Sequence, residues 1–236
     1  MNSNTYLCYD LETTGPNPYY DIPIEIAAIA LKPRTLESYK DNLGQDITFY
    51  SLVQIPEEFL KAAEADPKKK ASLEGALKIN NKTLDDLAEA PDLKTVWRNF
   101  VNFCQQYSSK PSDSWRSVIP VTYNGNGFDN VMIDRLAKEF GDVDGEGRSI
   151  VFHKNLSVDL YQDMFRWTEN STKPGRLNLD TIRKWTKYPE GAAHTAMYDA
   201  YTVKHLFCRL QKKQREISQK VVLENCFEIS PLGPNE

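Results

Sequence analysis

The sequence is poor in cysteine and has no long hydrophobic run. Only four of its 236 residues are cysteines, and they stand far apart with no Cys-x-x-Cys pair. This spacing argues against a disulfide or zinc framework and favours reduced thiols. No apolar stretch is long enough to span a bilayer, and the first residues lack the basic-then-apolar order of a signal peptide. We therefore expect a cytoplasmic protein with no membrane partner.

A basic excess is also missing. The formal net charge is −4 and the pI is about 5.5, which excludes the usual class of proteins that coat long duplex nucleic acid. The chain is 40% hydrophobic and 26% charged, which suits one domain with a substantial core. We expect a single domain over residues 1–236, with a helical insertion at about 55–79 and a short C-terminal tail.

One acidic pair stands out near the start of the chain. Asp10 and Glu12 follow the short apolar run of a strand predicted over residues 5–9, and Gly15 then ends the extended stretch. Because side chains alternate along a strand, Asp10 and Glu12 lie on the same face. Two adjacent carboxylates repel each other unless something positive lies between them, and a divalent cation is the usual partner. By itself this pattern is also typical of a solvated strand end.

The rest of the chain alternates strands and helices. Three successive strands with short connections favour an antiparallel meander. The segment 55–77 is rich in Ala, Glu and Lys, and predicts two short surface helices that either hold substrate or are a solvated insertion. The further strands are expected over 22–31, 47–53, 117–123 and within 150–158, and the further helices over 131–140, 159–167, 177–186 and 193–211.

Two later segments add to the acidic pair. Asn124-Gly-Asn-Gly-Phe128-Asp129 places an acid after a glycine-rich turn, between a predicted strand and a helix. His194 precedes Asp199 by five residues, at the start of the last long helix. Five residues do not return to one helical face, so His194 is expected on the entering loop. The chain thus supplies four acids and one histidine from three separate segments.

Together these three segments resemble the DEDD exonucleases, the 3′→5′ family that includes polymerase proofreading subunits, bacterial exonuclease I and RNase T. The family pattern is Asp-x-Glu, then Asn-x(2–3)-Phe/Tyr-Asp, then His-x4-Asp, and the resemblance extends roughly from residue 5 to residue 210. It implies an RNase H-like α/β fold, with a mixed five-stranded sheet flanked by helices.

The resemblance also implies a chemistry. Asp10, Glu12, Asp129 and Asp199 would gather as metal ligands, and their oxygen atoms favour two Mg²⁺ ions, with Mn²⁺ as a substitute. Such a site suits two-metal phosphodiester hydrolysis. His194 would be the general base, since an unperturbed imidazole is mostly neutral at pH 7–8. The tyrosine subclass has Tyr where this chain has Thr195.

The substrate is less closely defined by the sequence. Family positions that line the terminal-nucleotide pocket correspond to Leu11, Thr13 and Thr14, while Asn124 and Phe128 are expected to shape the site. The motifs look most like those of DNA-directed members, so we expect 3′ ends of single-stranded DNA. Three alternatives stay open: a 3′→5′ exoribonuclease, a non-enzymatic module that docks on a polymerase, and a proofreading enzyme with a polymerase or another replication or repair partner.

Overall fold

A five-stranded mixed sheet organises the chain. The computed structural model describes residues 4–191 and 194–221, so the expected C-terminal tail and Cys226 lie outside the described residues. The spatial order of the strands is β3-β2-β1-β4-β5. Strands β1, β2 and β3 pair antiparallel, as the predicted meander requires, and β4 is parallel to both β1 and β5. The strands are β1 (Tyr6–Thr13), β2 (Pro23–Leu31), β3 (Thr48–Leu52), β4 (Ile119–Thr122) and β5 (Val158–Asp159).

Helices cover both faces of this sheet. One face packs against α4 and α5, the other against α6, α7 and α8, and each layer buries its own apolar cluster. A third cluster lies under the helical insertion between β3 and α4. The helices are α1 (Glu57–Ala65), α2 (Pro67–Ile79), α3 (Leu84–Ala88), α4 (Leu93–Gln106), α5 (Asp129–Phe140), α6 (Leu160–Thr168), α7 (Leu179–Thr186) and α8 (Ala196–Ser218).

The helix starts are set by local side-chain caps. Asp66 accepts a hydrogen bond from the backbone N–H of Lys68 at 2.9 Å, and Pro67 occupies the first helical position of α2. Thr83 and Asp86 form a reciprocal capping box at the start of α3. These caps fix the ends of the insertion helices, and so they fix the loop that returns the chain to the sheet.

Two strand predictions are wrong in their bounds. Strand β1 runs to Thr13 instead of ending at Tyr9, because β2 pairs with it along its whole length. Strand β5 is only two residues long, although a strand was expected within 150–158. The reason lies in Pro120 of β4. The backbone N–H of Ile119 donates to the carbonyl of Thr5 beside β1, so the nitrogen of the next residue, Pro120, faces β5. Proline has no N–H, and so no hydrogen bond to β5 can form there. Residues 153–157 loop away as a result.

Among residues 4–191 and 194–221, none of the helices combines the length and apolar character that crossing a bilayer would need.

Candidate active site

The acidic pair lies within strand β1. Asp10 and Glu12 are two residues apart and project from the same face, and both side chains are partly exposed. Their cross-strand neighbours on β2 are Ala27 and Glu25, respectively. The pair therefore projects from a central strand that pairs with β2 along its length and with β4 at Tyr6–Cys8, just before the acids.

The other two acids come from helix starts. Asp129 is the first residue of α5, and Asp199 lies in the first turn of α8, where its N–H donates to the carbonyl of Thr195 at 3.0 Å. Each residue is only 7% exposed. A helix N-terminus stabilises a negative charge, which offsets part of the cost of burying these carboxylates.

Three of the four acids converge closely. One oxygen each from Asp10, Glu12 and Asp199 lie within 4.8 Å of one another. Asp129 is outside this tight group but adjoins it: its charge acts on Asp10 and Glu12, and it accepts a backbone hydrogen bond from Leu11. All four predicted ligands thus lie at one end of the sheet, although their roles stay predictions.

The pKa of every carboxyl in the site is raised above its ordinary value. Burial is the largest cause for each group. For Glu12, burial and the charges of Asp199, Glu25 and Asp129 raise the pKa to about 8. Burial raises the pKa of Asp129 to about 7 and that of Asp199 to about 6, and it raises the pKa of Asp10 well above its ordinary value. Burial and mutual repulsion therefore oppose full ionisation of the four carboxyls at neutral pH.

A divalent cation would relieve this repulsion. The converging donors of Asp10, Glu12 and Asp199 are all carboxylate oxygens, the ligand type that Mg²⁺ and Mn²⁺ prefer. The donor set therefore fits a hard cation.

The glycine-rich turn before Asp129 is tightly constrained. Asn124 adopts a left-handed conformation with φ of 65°. A Cβ on Gly125 would lie 2.2 Å from Oγ1 of Thr122, so only glycine fits at this position. The Asp159 carboxylate accepts the N–H groups of Asn124 and Asn126 at 2.8 and 3.2 Å. Sequence reasoning did not identify Asp159, which fixes the turn and, through it, the position of Asp129.

His194 lies on the loop that enters α8, as expected. Its backbone is left-handed with φ of 62°, and its side chain is 46% exposed. The Nε2 atom is 3.8 Å from Oδ2 of Asp180 on α7, and the histidine charge acts on Asp199. The imidazole thus lies beside Asp180 and close enough for its charge to act on Asp199.

Arg183 is a site residue that sequence reasoning missed. The residue is 6% exposed, and its guanidinium donates to Asp199, to Asp180 at 2.6 Å and to the hydroxyl of Thr202 at 3.2 Å. The Tyr198 ring covers it, with 4.8 Å from the ring centroid to Cζ. One Asp199 oxygen is therefore occupied by arginine, which orients the other. Nothing in the sequence distinguishes this arginine from a surface residue of α7.

A second buried ion pair was also missed. Glu25 has a fully buried side chain, and its carboxylate lies 3.3 Å from Nζ of Lys82, whose side chain is 16% exposed. Among the described residues, neither oxygen of Glu25 accepts a hydrogen bond of normal geometry. A sequence signal did exist: Glu25 is the one charged residue in the apolar run Pro23–Leu31.

The residues predicted to bind substrate are held largely by internal contacts. Leu11 packs in the core on the sheet face opposite the acids, and Phe128 packs against the same cluster. Thr13 donates to the carbonyl of Gly15 at 2.8 Å, and Thr14 donates to Asp21 at 3.1 Å. A role for these residues in substrate binding stays a prediction.

Comparison with known proteins identifies the family. The exonuclease family described as RNase T matches residues 7–207, which is most of the chain. The chain therefore belongs to this family of DEDDh-type 3′→5′ exonucleases and is a nuclease by descent. Membership implies dependence on a divalent metal ion, which agrees with the acidic cluster. Among curated proteins, none has a sequence that matches this chain.

Solved structures match the fold. A structure of exonuclease I described as suggesting how processivity is achieved is 17% identical, with a TM-score of 0.69, and the match covers 92% of this chain and 43% of that one. E. coli exonuclease I with a dT13 oligonucleotide matches with 17% identity, a TM-score of 0.68 and coverage of 92% and 43%. The zinc-bound E. coli complex with single-stranded DNA matches with 18% identity, a TM-score of 0.66 and coverage of 92% and 42%. The chain thus has the RNase H-like fold and spans less than half the length of these proteins.

Proposed function

We propose that this chain removes nucleotides from the 3′ end of single-stranded DNA by Mg²⁺-dependent hydrolysis, with His194 as general base. The observation that carries the proposal is the convergence of Asp10, Glu12 and Asp199 within 4.8 Å. These residues come from a strand and a distant helix, so the acids meet only through the fold.

The four acids would hold the metal ions. Asp10 and Glu12 would offer oxygens from the strand, and Asp199, held by Arg183, would offer one from α8. Asp129 adjoins them at the start of α5. When bound, a pair of divalent ions in such a site activates water and neutralises charge on the scissile phosphate. The remaining work of positioning and proton transfer belongs to the side chains of the protein.

His194 would accept the proton of the attacking water. Its ring is accessible, and Asp180 lies on its Nε2 side, where a carboxylate can orient the imidazole. The same Asp180 also bonds to Arg183, and Arg183 bonds to Asp199, so Asp180 lies between the base and one metal ligand.

Two observations support single-stranded DNA as the substrate. The exonuclease I structures that share this fold include complexes with dT13 and dA16 oligonucleotides. The formal net charge of −4 favours binding of a few nucleotides over binding along a long duplex. A polymerase partner stays a prediction.

Matched oligonucleotides test the proposal. DNA and RNA of the same sequence, each labelled at the 5′ end, are incubated with the protein and Mg²⁺, and the products are resolved by length. We expect a ladder that shortens from the 3′ end, faster on DNA, and no trimming in EDTA. Faster trimming of RNA would make the chain an exoribonuclease, and trimming that persists in the Asp10→Asn variant would assign the activity to a contaminant.

A further inference from the structure

The ion pair between Lys82 and Glu25 lies beside the acidic site. Glu25 is the direct cross-strand partner of Glu12, so the two carboxylates occupy the same face of neighbouring strands. Like charges in directly opposed positions of a sheet repel each other. The described residues show one cation in ion-pair contact with Glu25, which is Lys82 at 3.3 Å.

Lys82 lies in a short connection between α2 and α3 that several hydrogen bonds hold in place. Asn80, 4% exposed, donates from its side-chain amide to the carbonyl of Thr13 at 3.4 Å, which joins the end of α2 to the end of β1. The N–H of Lys82 donates to the carbonyl of Leu77 at 2.9 Å. The capping box of α3 begins at the next residue, Thr83. Lys82 is thus held between two helix ends and delivers its side chain to the sheet.

The charges of this pair act on the metal-ligand candidates. Glu25 raises the pKa of both Glu12 and Asp199, whereas Lys82 lowers that of Glu12, in each case after the larger effect of burial. Burial and then the Glu25 charge raise the pKa of Tyr50 to about 12, so the tyrosine stays a neutral neighbour of this carboxylate. Lys82 therefore provides the compensating positive charge.

We propose that Lys82 is a positioning residue of the metal site: by neutralising Glu25, it keeps the opposed Glu12 carboxylate in place beside Asp10 and Asp199. The inference rests on the proposed function, since it assigns Lys82 a purpose in metal binding. It also gives the insertion a role, because the loop after α2 carries this lysine.

Removal of Lys82 alone has two opposite consequences. The uncompensated charge of Glu25 would attract a cation more strongly, but it would also push Glu12 away from Asp10 and Asp199. Direct coordination depends steeply on oxygen position, whereas the attraction of a more distant charge is weakened by solvent and salt. We infer that displacement dominates and that metal binding weakens.

The test is a double-substitution cycle on the full chain. The variants are Lys82→Met, Glu25→Gln, the two combined, and Lys82→Arg; Lys78→Met, an exposed lysine in the last turn of α2, is the matched control. Mn²⁺ affinity is measured by calorimetry without substrate, thermal unfolding is followed in EDTA, and trimming is measured against Mg²⁺ concentration.

We expect Lys82→Met to weaken Mn²⁺ binding about 10- to 100-fold, the range found when a group that orients a metal ligand is removed. The combined variant should recover most of the affinity, because no buried charge is left without a partner. Lys82→Arg and Lys78→Met should bind Mn²⁺ nearly as the parent does. A thermal midpoint in EDTA that falls for Lys82→Met and returns in the combined variant would show that the pair is coupled as proposed.

Three results would overturn the inference. Lys82→Met could bind Mn²⁺ as tightly as the parent or more tightly, or its affinity could stay low in the combined variant, which would mean that Lys82 acts by itself. The combined variant could also recover metal binding but not trimming, which would place Lys82 in contact with substrate. If the parent binds Mn²⁺ and the cycle behaves as expected but no DNA is trimmed, the proposed function fails while the role of Lys82 stands.

Discussion

The carboxylates and the histidine of the candidate site are held in opposite ways. Asp10 and Glu12 lie on a central strand that is paired on both sides, and Asp129 and Asp199 are buried at helix starts. His194 lies on a left-handed turn with nearly half of its side chain exposed. The metal ligands are therefore preorganised, whereas the proton acceptor is free to adjust. Substitution of an acid should therefore weaken metal binding, whereas substitution of His194 should lower turnover.

The largest effect should come from substitution of one of the four acids. Asp10→Asn removes a charged ligand from the converging group, so we expect trimming to fall about 10³-fold or more, the scale of losing a group that stabilises transition-state charge. Calorimetry should show weakened Mn²⁺ binding. Asp85→Asn on the exposed face of α3 is the control and should behave as the parent. Full activity in Asp10→Asn would contradict the role of Asp10 as a metal ligand.

Substitution of His194 should lower turnover without weakening metal binding. His194→Ala should lower kcat about 10²- to 10⁴-fold, the usual contribution of a general base, while Mn²⁺ affinity stays near that of the parent. His205→Ala, at an exposed position of α8, is the matched control. If calorimetry instead showed lost metal binding in His194→Ala, the histidine would belong with the ligands and the contrast would disappear.

Asp180 links His194 to the acids, so its substitution should have an intermediate effect. Asp180→Asn keeps the shape but removes the charge that faces both His194 and Arg183. We expect a loss of about 10-fold in kcat, at the low end for groups that orient another catalytic or metal-binding residue. Kinetics over a range of Mg²⁺ concentrations would check it. A loss as large as that of His194→Ala would make Asp180 part of the chemistry.

The smallest effect concerns stability without metal. The folded pKa values of Asp199, Asp129 and Glu12, about 6, 7 and 8, are raised above their ordinary values. A raised pKa contributes stability that is present at low pH and is lost as pH rises through the folded value. In EDTA the thermal midpoint should therefore fall by several degrees between pH 5 and pH 8, at about 2–4 °C for each kcal/mol. Added Mg²⁺ should raise it more at pH 8 than at pH 6, and an equal rise at both would contradict this account.

Local sequence signals predicted which segments are strands or helices better than they predicted where each element begins and ends. The antiparallel meander and the loop position of His194 followed from apolar runs, turn residues and spacing. The short β5 depended on which side of β4 the nitrogen of Pro120 faces, and the length of β1 depended on pairing with β2. Both are tertiary facts that no local pattern contains.

The same limit applies within the site. The four acids and the histidine were predicted because their spacing forms a family pattern. Arg183, Lys82 and Asp159 were not, because a charged residue on a helix or loop gives no sign of the buried partner it meets. Glu25 was the exception that could have been found, since a single acid in a buried strand requires a partner.

The central claim is that the acids converge to bind divalent ions. Anomalous diffraction from crystals soaked in Mn²⁺ and a nucleoside 5′-monophosphate tests it most directly. We predict anomalous peaks bonded to oxygens of Asp10, Glu12 and Asp199, with a phosphate oxygen of the nucleotide on the same ions. Crystals in which no manganese is bound to these carboxylates, with Arg183 and Lys82 as their sole cationic partners, would contradict the account.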